Sequence, residues 1–402
     1  MLLKLTNMRY SQKSKIFLAS GTLNKGENSS SKQLFYFNNL RRVNKTALFV
    51  FLLIILMGLV NLMAISTMHF VRQALFCLAF IPFFALILAC NPRYLIKFAY
   101  FGVGVSIVML LAIFVVGDVS MGARRWIDLK LLKFQPSEFS KFLTVLFIAR
   151  YYHFVKENEI TALKSAIIPI LITFIQVALI LKEPDLGTSL TMIAIALSVI
   201  FLAGLKWRYF IIGILIGVSS VPIIWSNLHD YQKGRIQTFL NPEADLLGAG
   251  YNIQQAKIAI GSGGMFGKGA FSSTQGGLNF LPESHTDFAF TIFAEQFGFV
   301  GCVILIFMYS YLIYFGFKIS LNSQSHFIRL ASGGISCVLF FHILINLAMT
   351  SGLIPVVGNP LPLISYGGTF LISNLICFAM LLNFDINKSL VIHSTTESYM
   401  EK

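Results

Sequence analysis

Ten apolar runs separated by mostly short polar connections organise the chain, at 48–66, 74–90, 98–117, 137–155, 165–181, 188–204, 209–225, 288–317, 330–351 and 367–384. About 20 apolar residues, rising ~1.5 Å each as a helix, cross a hydrocarbon core of ~30 Å. The pattern predicts an all-α integral membrane protein: a bundle of about ten transmembrane helices, with the polar interval 226–287 as a large extracytoplasmic loop between helices 7 and 8. The fourth run is the least regular, because Glu138 and Lys141 interrupt its start.

Charge orients this bundle. Residues 1–47 hold nine Lys or Arg and one Glu with no apolar stretch ending in a cleavage site, so they read as a basic cytoplasmic arm rather than a signal peptide. The positive-inside rule keeps that arm in the cytoplasm, and ten crossings return the tail 386–402 to the same side. Residues 48–385 form the membrane domain. Overall, 56% of residues are hydrophobic and 12% charged, against roughly a quarter charged in soluble domains. The net charge of +14 is spread over arm and loops with no nucleic-acid-binding motif, which points to anionic lipid rather than nucleic acid. All five cysteines lie in apolar runs without metal-ligand spacing and read as small buried hydrophobes.

Against this frame, 118–133 is an anomaly: it falls outside, yet carries Arg124, Arg125, Lys130 and Lys133 against Asp118 and Asp128. A bound anion such as a phosphate would account for it, and so would simple headgroup contact. Next, Pro136 suits a helix start, and Glu138 and Lys141 share a helix face, either as a structural ion pair or lining a cavity. In the turn between the fifth and sixth runs, Glu183 and Asp185 could balance the arginines, bind a divalent cation (Mg or Mn) or simply be solvated.

The loop 226–287 carries ten glycines, but Gly267-Lys268 lacks the upstream Gly and following hydroxyl of a phosphate-binding loop, and nucleotide binding is rejected. Asp287 stands at the mouth of the eighth helix, either as a first-turn acid or as a desolvated general base. Glu295 lies deeper and reads as structural or tuning. Three prolines and four glycines in 346–368 forbid a regular helix, so that stretch is expected to line the same cavity. His342 and Asn346 read as an interhelical hydrogen-bonding pair.

Several motifs together resemble the SEDS family (shape, elongation, division and sporulation): Gly122-Ala-Arg-Arg-Trp-Ile-Asp-Leu129, Phe134-Gln-Pro-Ser-Glu138, Glu183-Pro-Asp-Leu-Gly-Thr188, Gly250-Tyr-Asn-Ile-Gln254, Leu281-Pro-Glu-Ser-His-Thr-Asp-Phe288 and Pro360-Leu-Pro-Leu-Ile-Ser-Tyr-Gly-Gly368. Gly267-Lys-Gly269 with Thr274-Gln275, and Gly352-Leu-Ile-Pro-Val-Val-Gly358, look like the elongation branch more than the division branch. The long basic arm departs from the pattern. The resemblance implies an inner-membrane peptidoglycan glycosyltransferase that polymerises lipid II by a single inverting displacement. Its expected partners are a class B penicillin-binding protein and other membrane proteins of the elongation complex. Carried over residue by residue, Asp287 is the catalytic carboxylate, and Trp126, Glu138, Lys141 and Asp185 fall on positions needed for activity. Gln254, His285, Ser365 and Tyr366 lie in the matched motifs and, with Arg124 and Arg125, are assigned to substrate binding. A lipid II flippase, a division-type polymerase and a non-catalytic scaffold are the alternatives.

Overall fold

The computed structural model describes residues 35–36, 41–120, 123–130, 133–227, 230–241, 249–272 and 283–392. Most of the basic arm, the end of the tail, Thr274-Gln275 and Leu281-Pro282 lie outside the described residues.

Helix ends follow local chemistry. Helix α1 (Lys45–Ile65) starts where the Asn44 side chain accepts from the Ala47 amide at 3.0 Å. After α2 (Thr67–Ala89), helix α3 (Pro92–Val116) opens with Asn91 as cap and Pro92 in the first turn, where a missing N–H costs nothing. Pro136 likewise opens α4 (Pro136–Phe154). Apart from a single helical turn at Glu157–Ile160, the remainder are α5 (Ile167–Lys182), α6 (Leu186–Ala203), α7 (Trp207–Ser219), α8 (Val221–Asn227), α9 (Asp230–Leu240), α10 (Ala249–Ser262), α11 (Ala289–Asn322), α12 (His326–Thr350) and α13 (Gly368–Ile386).

Eight helices among the described residues are long and apolar enough to cross a membrane. The other two expected runs are α4 and the α7–α8 pair. Helix α4 is more polar because it is buried by its neighbours: it packs on α3, α6 and α12, and most of its side chains are shielded. Helix α12 is central, against α4, α6 and α11, whereas α7 has no buried residue and stands at the periphery.

Two regions differ from the expectation of simple loops. The basic segment after α3 folds into a three-stranded antiparallel sheet of β1 (Asp118–Ser120), β2 (Ala123–Asp128) and β3 (Lys133–Phe134) in the order β1-β2-β3. Its register pairs Val119 with Arg124 and Asp118 with Trp126 across a bulge. The second half of the long loop does not stay at the surface. Helix α10 runs along α11, and Ala256 is buried with Phe288 and Ile292. The glycine-rich turn after α10 then docks into a break in α11 at Gly298, with the Lys268 amide bonded to the Glu295 carbonyl at 3.0 Å and the Phe299 amide to the Gly264 carbonyl at 2.9 Å. Gly298 sits at φ 65°, ψ −167°, a region only glycine adopts readily, and a Cβ there would lie 2.3 Å from the Gly267 nitrogen. Lys268 extends from that turn to the buried Glu295 carboxylate at 2.8 Å, so Glu295 is structural as expected.

Candidate active site

The sheet, the α5–α6 turn, residues 283–288 and the irregular stretch 351–367 all lie at one end of the bundle. The bulge in β2 falls at Arg125, which is opposed by no residue of β1, and the two arginines make different contacts. Ile127 packs against the apolar cluster of Leu110, Ile113, Val177 and Ile180. The Arg125 Nε donates to the Glu183 carbonyl at 3.1 Å, the guanidinium also donates to the Pro184 carbonyl, and Nε lies 4.0 Å from Asp185 Oδ2. Arg124 is exposed and donates to the Phe114 carbonyl at 3.4 Å. Of the two arginines expected to bind a ligand, it is Arg125 that reaches the α5–α6 turn. Trp126 is half-buried.

Asp185 caps α6, accepting from the Thr188 amide at 3.1 Å and the Thr188 hydroxyl at 2.9 Å. Glu183 is 1% exposed, and neither carboxyl oxygen has a hydrogen-bond partner. Burial pushes its carboxyl up to about 9, with Asp185 adding and Arg125 opposing, so it is neutral at physiological pH. A neutral carboxyl beside a capping carboxylate that already faces a guanidinium is a poor cage for a divalent cation. Among the described residues, no group of three or more His, Cys, Asp or Glu could hold a metal.

Asp287 occupies the turn before α11. The helix cap is Phe288, one residue after Asp287. Its backbone carbonyl accepts from Asn346 Nδ2 at 2.9 Å, and its Oδ2 would lie 3.2 Å from a Cβ at Gly358. The half-buried Asp287 side chain is raised to about 7: desolvation leads, Glu283 and Asp185 add, and Arg235 and Arg125 oppose. Arg235 on α9 thus supplies a second guanidinium field. The sequence showed it only as one basic loop residue among several, and only tertiary folding brings it to the site.

The other expected residues do not converge on Asp287. Glu138 and Lys141 pair at 2.8 Å inside the bundle, and Lys141 Nζ lies 3.1 Å from His342 Nε2. Both are buried, and their pairing inside the bundle matches the ion-pair alternative of the sequence reading. His285 stacks on His69 with ring centroids 4.3 Å apart, and Tyr366 packs edge-on to the same His69 ring. The Ser365 hydroxyl donates to the Thr286 carbonyl at 2.6 Å and accepts from the Leu361 amide at 2.8 Å, bracing the turn that carries Asp287. Gln254 is half-buried on α10.

Fold and site define a polytopic helical membrane protein with a carboxylate poised near neutrality between guanidinium groups at one end. The chain belongs to the FtsW/RodA/SpoVE family of cell cycle proteins, whose profile matches residues 41–390. It is 42% identical over 288 residues to the peptidoglycan glycosyltransferase MrdB of Escherichia coli (strain K12), covering 71% of this chain and 77% of MrdB. It is 37% identical over 270 residues to the stage V sporulation protein E of Bacillus subtilis (strain 168), covering 67% and 73%. Among solved structures, a chain from a peptidoglycan synthase complex that coordinates polymerization and crosslinking superposes with a TM-score of 0.77 at 31% identity, over 87% of this chain and 99% of that one. The rod shape determining protein RodA of Thermus thermophilus superposes at 0.64 with 28% identity, over 86% and 97%.

Proposed function

We propose that this chain is a peptidoglycan glycosyltransferase that polymerises lipid II, with Asp287 as general base. The observation that carries this reading is a carboxylate raised to about 7, set one residue before a helix against the bare backbone of Gly358, with Arg235 and Arg125 as its opposing charges. A base is most effective when its pKa lies near the working pH. Asp287 takes the proton from the acceptor sugar hydroxyl as that oxygen attacks the anomeric carbon of the donor. The sugar–phosphate bond breaks and undecaprenyl pyrophosphate leaves with its charge offset by Arg125 and Arg235. Single displacement inverts the anomeric centre, so no covalent sugar intermediate forms. Glu183, neutral beside Asp185, keeps the site from gathering a further negative charge. A divalent cation, Mg or Mn, would arrive bound to the pyrophosphate.

The rod shape determining name of a solved relative supports elongation use, and the peptidoglycan synthase complex supports a class B penicillin-binding protein as partner. The positive-inside pattern supports the inner membrane, with both termini cytoplasmic and the site outside. Purified protein given lipid II should form glycan, and Asp287→Asn should abolish it. Unchanged polymerisation by that variant would sink the general-base reading, and movement of labelled lipid II between leaflets without glycan would favour a flippase instead.

A further inference from the structure

Asn346 is wholly buried on α12 and carries no charge, yet it joins three elements at the site. One amide N–H donates to the Asp287 carbonyl at 2.9 Å, and the same nitrogen donates to the Asn359 carbonyl at 2.6 Å. Both donors of the side chain are thereby used. Turning the amide over would aim Oδ1 at two carbonyl oxygens, so the two acceptors fix its orientation. Asn359 reciprocates, donating from its own amide to the His342 carbonyl at 3.2 Å, one turn earlier on α12. The two asparagines thus cross-brace α12 to the irregular stretch, and Asn346 alone extends the brace to Asp287. On the far side Gly358, at φ 69°, presents bare backbone to the Asp287 carboxylate, where a Cβ would stand 3.2 Å from Oδ2.

We propose that Asn346 is a positioning residue that holds the backbone of Asp287 against the Gly358 turn and so sets where the carboxylate meets the acceptor hydroxyl. This rests on the proposed role of Asp287. The helical frame alone does not supply the constraint, because Asp287 precedes α11 and its carbonyl is held by a side chain from elsewhere in the fold. The groups that face the carboxylate, Glu283 on its own turn, Asp185 after α5, Arg125 on β2 and Arg235 on α9, are untouched by changes at 346.

The test is steady-state polymerisation of lipid II by purified full-length Asn346→Ala across pH. Misplacing a reacting group by about 1 Å can cost about 100-fold, so kcat is expected to fall by roughly 10- to 100-fold. KM should stay within roughly threefold, because no substrate contact is removed. The acid limb of the profile should move to lower pH, since a loosened carboxylate reaches water and ionises more readily. Asn359→Ala keeps the backbone carbonyl that Asn346 holds and loses only the bond to His342, so its limb should stay near wild type. If Asn346→Ala does not fold, Gly358→Ala reads the same contact from the other side and should displace the same limb. Wild-type kcat and acid limb per folded molecule in the Asn346 variant, or in Gly358→Ala where only that one folds, overturn the inference. A fully active Asp287→Asn would instead overturn the general-base reading, which separates the two failures.

Discussion

Two carboxyl groups at the site have values raised by burial, and each leaves a distinct mark on pH dependence. Asp287 at about 7 must be ionised to act as base, so kcat/KM should rise about tenfold per pH unit below that value and level off above it. Glu183 at about 9 is neutral in the working range, and ionising it places a new charge beside Asp185. Activity should therefore fall as pH passes about 9, and Glu183→Gln, which keeps the neutral shape, should remove that alkaline limb. A limb that persists unchanged in the Gln variant would assign it elsewhere. The same raised values bear on folding. The neutral carboxyls contribute stability at low pH, and it declines as pH rises through about 7 and again through about 9. Among the arginines the expected order of activity per folded molecule is wild type, Arg125→Lys, Arg125→Ala. Loss of charge-assisted hydrogen bonds worth about 1.5–3 kcal/mol corresponds to a drop of about 10- to 100-fold. Lysine keeps the charge but not the planar fork. Arg124→Ala, exposed and without a bond to the α5–α6 turn among those described, should stay within about fivefold of wild type. Equal losses at 124 and 125 would contradict this division between the two arginines.

At the scale of elements, the docked turn after α10 and the break in α11 form one unit. Gly298→Ala forces a side chain into backbone space reserved for glycine, at about 1–3 kcal/mol for the conformation alone, before the clash with the Gly267 nitrogen. Lys268→Ala removes the ion-pair partner of the fully buried Glu295, a change that costs up to about 3–5 kcal/mol and toward the low end here because Lys268 is partly exposed. Both should lower the thermal unfolding midpoint in detergent, and Glu295→Gln in the Lys268→Ala background should recover part of the loss. No recovery would mean that charge burial is not the cause.

For the whole molecule, the arrangement sets a half-wet site at one end of a bundle whose outer helices present large apolar side chains such as Phe101 and Val115 outward. That division suits a polyprenyl carrier held in lipid with its polar sugars at the surface. The proposed partnership is tested at this scale, since the chain superposes over 99% of a chain from a peptidoglycan synthase complex. Co-expression with a class B penicillin-binding protein should yield one stable complex on size exclusion, with glycan made by this chain and crosslinked by the partner. Two separate peaks at micromolar protein would argue that the chain acts alone.

Apolar run length, helix caps such as Asn44, Asn91 and Asp185, and the proline at 136 are local signals, and the helices they specify are the ones that form. The charge anomaly at 118–133, the irregular stretch 351–367 and the position of Asp287 at a helix mouth were legible for the same reason: each is a departure from a local rule. What the carboxylate faces was not legible. The strands of the small sheet are two to six residues long, too short to read as strands in a polar segment, so the separation of Arg124 from Arg125 follows only from pairing. Lys141 meets His342 across 201 residues, and Asn346 meets Asp287 across 59. The docking of α10 depends on close approach at Gly298, which any glycine in the sequence could have offered. The protonation of Glu183 and Asp287 is set by burial and by charges on other elements. Such quantities depend on distances through space, and the chain acquires those distances only when its helices pack.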